Sequence, residues 1–147
     1  MKNCTLERIW FGRTVSTPCF LTPARILLAD DHDDFGTLVR AYLAPHGFTV
    51  DTVTNGADAL TCVAQVSYDL ILVDIQMPGM DGYQLTERLR AGGYARPILA
   101  VTAHAMAPHL DRAIAAGCNA VYTKPVSLPA LREAIERNLS TSAALTR

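Results

Sequence analysis

Four short, largely apolar runs punctuate the chain: Ile26–Ala29, Leu70–Val73, Ile98–Val101 and Ala120–Thr123. None alternates with polar residues, so each predicts a strand covered on both faces, as in a parallel sheet. A fifth run, Phe48–Val53, does alternate and predicts an edge or half-exposed strand. Helical spacing fills the gaps. Phe35, Leu38, Val39, Tyr42 and Leu43 form one apolar stripe at i, i+3, i+4, i+7 and i+8. Pro45-His46-Gly47 then stops that helix. Asn55 is placed to cap a second helix, with Ala57, Leu60, Val63 and Ala64 turned inward. Leu85 and Leu89 face inward on a third, and Leu110 and Ile114 on a fourth between Pro108 and Gly117. Ser127 caps a fifth, which carries Leu128, Leu131, Ile135 and Leu139 down one side.

Five strand–helix repeats thus run from Arg25 to Leu139. Such alternation predicts an α/β fold with right-handed crossovers, a doubly wound parallel sheet between two helical layers. The domain is expected over 24–140. Residues 1–23, with Trp10 and Phe11, form an N-terminal extension of no assignable role, and 141–147 a polar tail.

Composition narrows the class. A chain of 147 residues, half of them hydrophobic and carrying a net charge of −1, can bury a core and is not disordered. That balance provides no basic stripe for a phosphate backbone, which argues against nucleic acid as a partner. No apolar run approaches the roughly 18 residues of a membrane span. Cys4, Cys19, Cys62 and Cys118 lack zinc-site spacing and read as small buried residues of a reducing compartment. Glu7, Arg8 and Arg13 interrupt the first segment, so no secretory signal is expected and the location should be cytoplasmic.

In an open parallel sheet, ligands bind beyond the carboxyl ends of the strands. The residues there are Asp30 and Asp31 after the first strand, Asp74 after the third, Thr102 after the fourth and Lys124-Pro125 after the fifth. Three converging carboxylates repel unless a cation joins them, and a hard divalent ion, Mg2+ first, suits that donor set. A metal with a lysine and a hydroxyl beside it clamps a phosphoryl group, and an aspartate can then serve as nucleophile. Taken singly, each piece has a plain structural reading: an acidic turn, a helix cap or a loop. Their arrival at the same end of four strands is what favours chemistry.

These residues resemble the receiver domain of two-component response regulators. Val73-Asp-Ile-Gln-Met-Pro-Gly-Met-Asp-Gly82 is similar to that family's phosphoacceptor loop, and Asp30-Asp31 to its metal-binding pair. Ala100-Val-Thr-Ala-His104 resembles the stretch with its switch threonine, and Thr123-Lys-Pro125 its lysine and proline. Wording around Ala103–Met106 and Ala116–Asn119 is similar to receivers of hybrid histidine kinases and phosphorelays.

The resemblance implies a flavodoxin-like strand order of 2-1-3-4-5. It implies Asp74 as phosphoacceptor and Mg2+, or Mn2+ in its place, on Asp31, Asp74 and the backbone carbonyl of Gln76, with Asp30 helping through water. Lys124 would pair with the phosphoryl group, Thr102 would swing toward it, and Lys124–Pro125 would be cis. The implied partner is a histidine kinase or a histidine phosphotransfer protein, with output by binding a further protein or by onward transfer. No enzymatic activity is expected beyond the domain's own phosphorylation and slow self-dephosphorylation, and no output domain is expected after the fifth helix. A phosphorylation-independent adaptor and an aspartyl-phosphate phosphohydrolase are the alternatives. One departure stands out: three residues before the lysine, where the family commonly has an aromatic, is Val121, and Tyr122 should point to the opposite face. His32, His46, His104 and His109 are not at metal-ligand spacing, although His104 is placed to line the mouth of the site.

Overall fold

A computed structural model describes residues 8–10, 13–15, 23–104 and 106–145, with side chains over 23–104 and 106–140. In the N-terminal extension, β1 (Arg8–Trp10) pairs antiparallel with β2 (Arg13–Val15). The remainder of that extension, Phe11 included, lies outside the described residues, as do Cys4 and Cys19.

The alternation then unfolds as expected: β3 (Ala24–Ala29), α1 (Asp33–Leu43), β4 (Phe48–Val53), α2 (Gly56–Gln65), β5 (Leu70–Asp74), α3 (Gly82–Ala91), β6 (Ile98–Thr102), α4 (Ala107–Ala116), β7 (Ala120–Thr123) and α5 (Leu128–Leu145). The five strands β3–β7 are parallel in the order β4-β3-β5-β6-β7, which is 2-1-3-4-5 among themselves. Every residue of β5 and β6 is buried, because helices cover both faces of the central strands. The core divides accordingly. Leu27, Ile71, Val73, Ile98 and Ala100 face one helical layer, while Ile26, Leu28, Leu70, Leu72 and Leu99 face the other. Each such Leu or Ile contributes about 1.5–3 kcal/mol by burial, which outweighs any single local propensity. Among the described residues, no helix is long and apolar enough to cross a membrane.

The local punctuation matches its chemistry. Asn55 Oδ1 accepts the Asp58 N–H at 2.8 Å, and Ser127 Oγ accepts the Ala130 N–H at 3.2 Å. Gly117 ends α4 with φ 118°, a left-handed conformation that favours glycine.

Several helix faces differ from the expected ones. On α1 the buried residues are Gly36, Val39 and Leu43, and Leu38 is 58% exposed. On α2 the buried residues are Gly56 and Ala59; Leu60 and Val63 are only partly buried, and Ala57 and Ala64 face outward. On α4 Ala113 and Ala116 are buried, and Ile114 is 51% exposed. On α2 and α4 the positions nearest the sheet are small, which lets the helix axis approach and leaves larger apolar residues toward the rim; on α1, Gly36 does this against Thr52 and Leu28 while Val39 and Leu43 fill the core. The run Ala120–Thr123 is not covered on both faces either. It forms the edge strand β7 and is half-buried. The backbone of α5 continues to Leu145, into the segment read as a tail.

Candidate functional site

The strand register brings the expected residues to one edge. Ala29 pairs with Val53 and Val73, Asp74 with Val101, and Thr102 with Thr123. Asp30 and Lys124, each one residue past its strand, therefore arrive beside Asp74 and Thr102. Asp30 and Asp74 are 4% and 3% exposed, and Thr102 is buried.

Electrostatics dominate this crevice. The Lys124 Nζ lies 2.9 Å from Asp30 Oδ2 and 3.4 Å from Asp74 Oδ2. Burial first, and then the charge of Asp30, pushes the Asp74 carboxyl above the usual carboxylate range; the Gln76 N–H and Lys124 oppose this only in part. Burial would lower the Lys124 ammonium, but the hydrogen bond to Asp30 and the charges of Asp74 and Asp30 hold it up. One ammonium does not balance two buried carboxylates with Asp31 beside them. The donor set thus fits a divalent cation, with carboxylate oxygens from Asp30, Asp31 and Asp74 within 4.8 Å of one another.

Hydrogen bonds from backbone N–H groups hold the loop after β5 in place. The Ile75 N–H donates to Val101 O at 3.2 Å, Gly82 N–H to Ile75 O at 2.9 Å, and Gln76 N–H to Asp74 Oδ1 at 3.1 Å. Gly82 is required there: a Cβ would lie 2.6 Å from the Asp74 carbonyl oxygen. Asp81 and Gln84 close a reciprocal capping box at the start of α3. Lys124–Pro125 is cis.

Two histidines enter the site in ways their spacing does not suggest. His32 Nδ1 stands 3.1 Å from Asp30 Oδ1 and 3.0 Å from Asp31 Oδ1. The hydrogen bond to Asp30, and then the charges of Asp31 and Asp30, hold its imidazole above its ordinary value. The only signal in the sequence is adjacency to the acidic pair. His104 lines the mouth as expected, and its ring meets the Gln76 side chain. Its backbone N–H donates to Thr102 Oγ1 at 3.1 Å. Beyond it runs a chain of contacts that no spacing in the sequence marks. The His104 and His109 rings stack with centroids 5.3 Å apart, His109 meets the Tyr83 hydroxyl, and the Arg112 guanidinium lies over the Tyr83 ring. His46 stays away from this edge, bonded to Tyr42 O. Cys118 is buried against Thr86, in keeping with a packing role.

Comparison with known proteins agrees with this arrangement. The family model of the response regulator receiver domain matches residues 26–136. The sensor histidine kinase RcsC of Salmonella typhi is 37% identical over 110 residues, covering 75% of this chain and 12% of that protein. The sensor protein EvgS of Escherichia coli K12 is 38% identical over 107 residues, 73% of this chain and 9% of that one. The chain therefore spans only about a tenth of the length of these relatives. Among solved structures, a CheY-like receiver domain protein from Methanospirillum hungatei superposes with a TM-score of 0.80 at 25% identity, covering 84% of this chain and 98% of its own. Chemotaxis protein CheY4 of Vibrio cholerae gives 0.75 at 26% identity, with 78% and 98% covered. From strand order to sequence match, the chain belongs to the response regulator receiver domain family of two-component and phosphorelay signalling, with homology to the receivers of hybrid sensor kinases.

Proposed function

We propose that this domain accepts a phosphoryl group from a phosphohistidine onto Asp74, and that it signals by binding a partner or by passing the group on. An Asp74 oxygen attacks phosphorus, the phosphorus–nitrogen bond breaks, and the imidazole leaves with the electron pair. A divalent cation, Mg2+ first or Mn2+ in its place, would be held by Asp30, Asp31, Asp74 and the Gln76 backbone carbonyl. When bound it neutralises charge on the phosphoryl oxygens. Lys124 exchanges its contact with Asp74 for one with a phosphoryl oxygen, as a compact charge on a flexible stem can. Thr102 turns its hydroxyl inward by a rotamer change.

The observation that carries this reading is the Asp74 carboxylate itself. It is nearly fully buried at a strand end, crowded by Asp30 and only partly neutralised by Lys124. A groove of about 980 Å3 beside Lys124, lined by Phe35, Leu38, Pro125 and Val126, supports the approach of a phosphohistidine-bearing kinase or phosphotransfer protein.

Intact mass after incubation with acetyl phosphate and Mg2+ tests the reading. One labile phosphoryl adduct is expected, lost with chelator and with Asp74→Asn. An unmodified parent chain would favour the phosphorylation-independent adaptor, and repeated turnover of an unrelated phosphoester the phosphohydrolase.

A further inference from the structure

Among the described residues, the possible metal ligands gathered at the acidic crevice include one imidazole, that of His32. His32 follows Asp31 directly and is the N-cap residue of α1, in extended conformation with no side-chain capping bond. Its backbone N–H donates to Asp30 Oδ1 at 2.8 Å, and this tight turn folds the ring back over the acidic pair. The ring is 69% exposed, and it meets the carboxylates of Asp30, Asp31 and Asp74.

Three separations from His32 Nδ1 are those of a single coordination sphere. Six ligand atoms about 2.1 Å from a metal lie about 3.0 Å apart along octahedral edges and about 4.2 Å apart across it. His32 Nδ1 is 3.1 Å from Asp30 Oδ1 and 3.0 Å from Asp31 Oδ1, both edge distances. It is 4.0 Å from Asp74 Oδ2, close to the distance across. Asp30 divides its two oxygens without conflict, Oδ2 to Lys124 and Oδ1 toward His32. His32 Nδ1 and one oxygen from each aspartate lie within 4.8 Å of one another.

Resting on the function proposed above, we infer that His32 Nδ1 is a direct ligand, which makes this a mixed nitrogen–oxygen site that prefers a borderline first-row ion such as Zn2+ or Co2+ to Mg2+. Mg2+ is hard and dehydrates reluctantly, so an imidazole adds little to its binding. Zn2+ and Co2+ take imidazole readily, and their affinity for any given nitrogen–oxygen set exceeds that of the harder ions. Without the nitrogen, the set would be the all-oxygen one that suits Mg2+. With it, selectivity among divalent ions is set by a residue outside the phosphotransfer chemistry.

Calorimetric titration of the full chain with MgCl2, CoCl2 and ZnCl2 tests this, in parent, His32→Ala and Asp31→Ala, alongside nitrogen NMR of the histidine rings. The parent should bind Co2+ and Zn2+ at least about tenfold more tightly than Mg2+. His32→Ala should reduce that preference at least about tenfold, and Asp31→Ala should weaken all three ions. Zn2+ should move the His32 Nδ1 resonance in the manner of direct ligation. An unchanged preference in His32→Ala, or Zn2+ that shifts only the rings of His46, His104 or His109, would overturn the inference. The parent's Mg2+-dependent labelling by acetyl phosphate reports separately on the proposed function, so failure of one is distinguishable from failure of the other.

Discussion

Lys124 approaches Asp30 more closely than Asp74, at 2.9 Å against 3.4 Å, across 94 residues of chain. The ammonium is three-quarters buried and rests over the Phe35 ring, 5.0 Å from its centroid. A Lys124–Asp74 pair is thus only half the arrangement. The lysine bridges two carboxylates, and Asp74 keeps the weaker share.

That bridge has a measurable cost of removal. Lys124→Met leaves Asp30 and Asp74 facing each other without their cation. Removing one partner of a buried pair costs more than the pair was worth. We expect a stability loss of about 2–3 kcal/mol in chelator, with part recovered in excess Mg2+. Denaturant titrations under the two conditions measure this; equal losses with and without Mg2+ would argue against a cation among these carboxylates.

Asp74→Asn should act in the opposite direction. The carboxyl is held above its ordinary value of 3.8, by burial and then by Asp30. A raised carboxyl binds its proton better folded than unfolded. Its stabilising contribution is therefore complete below the ordinary carboxylate value and lost as pH rises through the raised one. At neutral pH in chelator the ionised group is a burden, and the amide should raise Tm by about 3–5 °C, the effect of roughly 1 kcal/mol in a domain of this size. Acidification should close the gap. A variant less stable than the parent at neutral pH would contradict the crowding described for this site.

Gly82→Ala probes the loop that positions Asp74. The added methyl would meet the Asp74 carbonyl oxygen at 2.6 Å and Ile75 Cα at 2.7 Å, both backbone atoms that cannot swing aside. Overpacking of this kind costs about 1–3 kcal/mol. Acetyl phosphate labelling should slow along with the loss of stability, because the atom displaced belongs to Asp74. Wild-type labelling at reduced stability would show that the loop adjusts without moving the carboxylate.

The response to phosphorylation should run through α4 rather than β7. Val121 and Tyr122 pack on opposite faces of the sheet, so no ring stands at position 121 to move with Thr102. The contacts instead lead from Gln76 to His104, from His104 to His109, and from His109 to Tyr83. Backbone NMR with a phosphoryl mimic and Mg2+ should show the largest shifts at Gln76, His104 and His109, with small shifts in β7. Changes through β7 and α5 as large in the parent as in Val121→Tyr would refute this.

Much of the architecture could be read from short windows. Unbroken apolar runs indicated β3, β5 and β6, alternation marked β4, and Asn55, Ser127 and Gly117 marked helix ends, because period and capping act within a few residues of chain. The acidic pair, Asp74, Thr102 and Lys124 were legible for a related reason. Each ends its strand or lies within two residues past it, and a parallel sheet places all carboxyl ends on one edge.

Other features are not local. Which part of an apolar helix face is buried depends on how near the axis can lie to the sheet. Ala113 is therefore inside, and Ile114, which the spacing turned inward, is outside. Only strand order made Ala120–Thr123 an edge. The division of Lys124 between Asp30 and Asp74, the folding of His32 onto the acidic pair, and the stack of His104 on His109 all join groups through space. Composition and periodicity specify elements one at a time; distances between side chains on different elements exist only once those elements have packed.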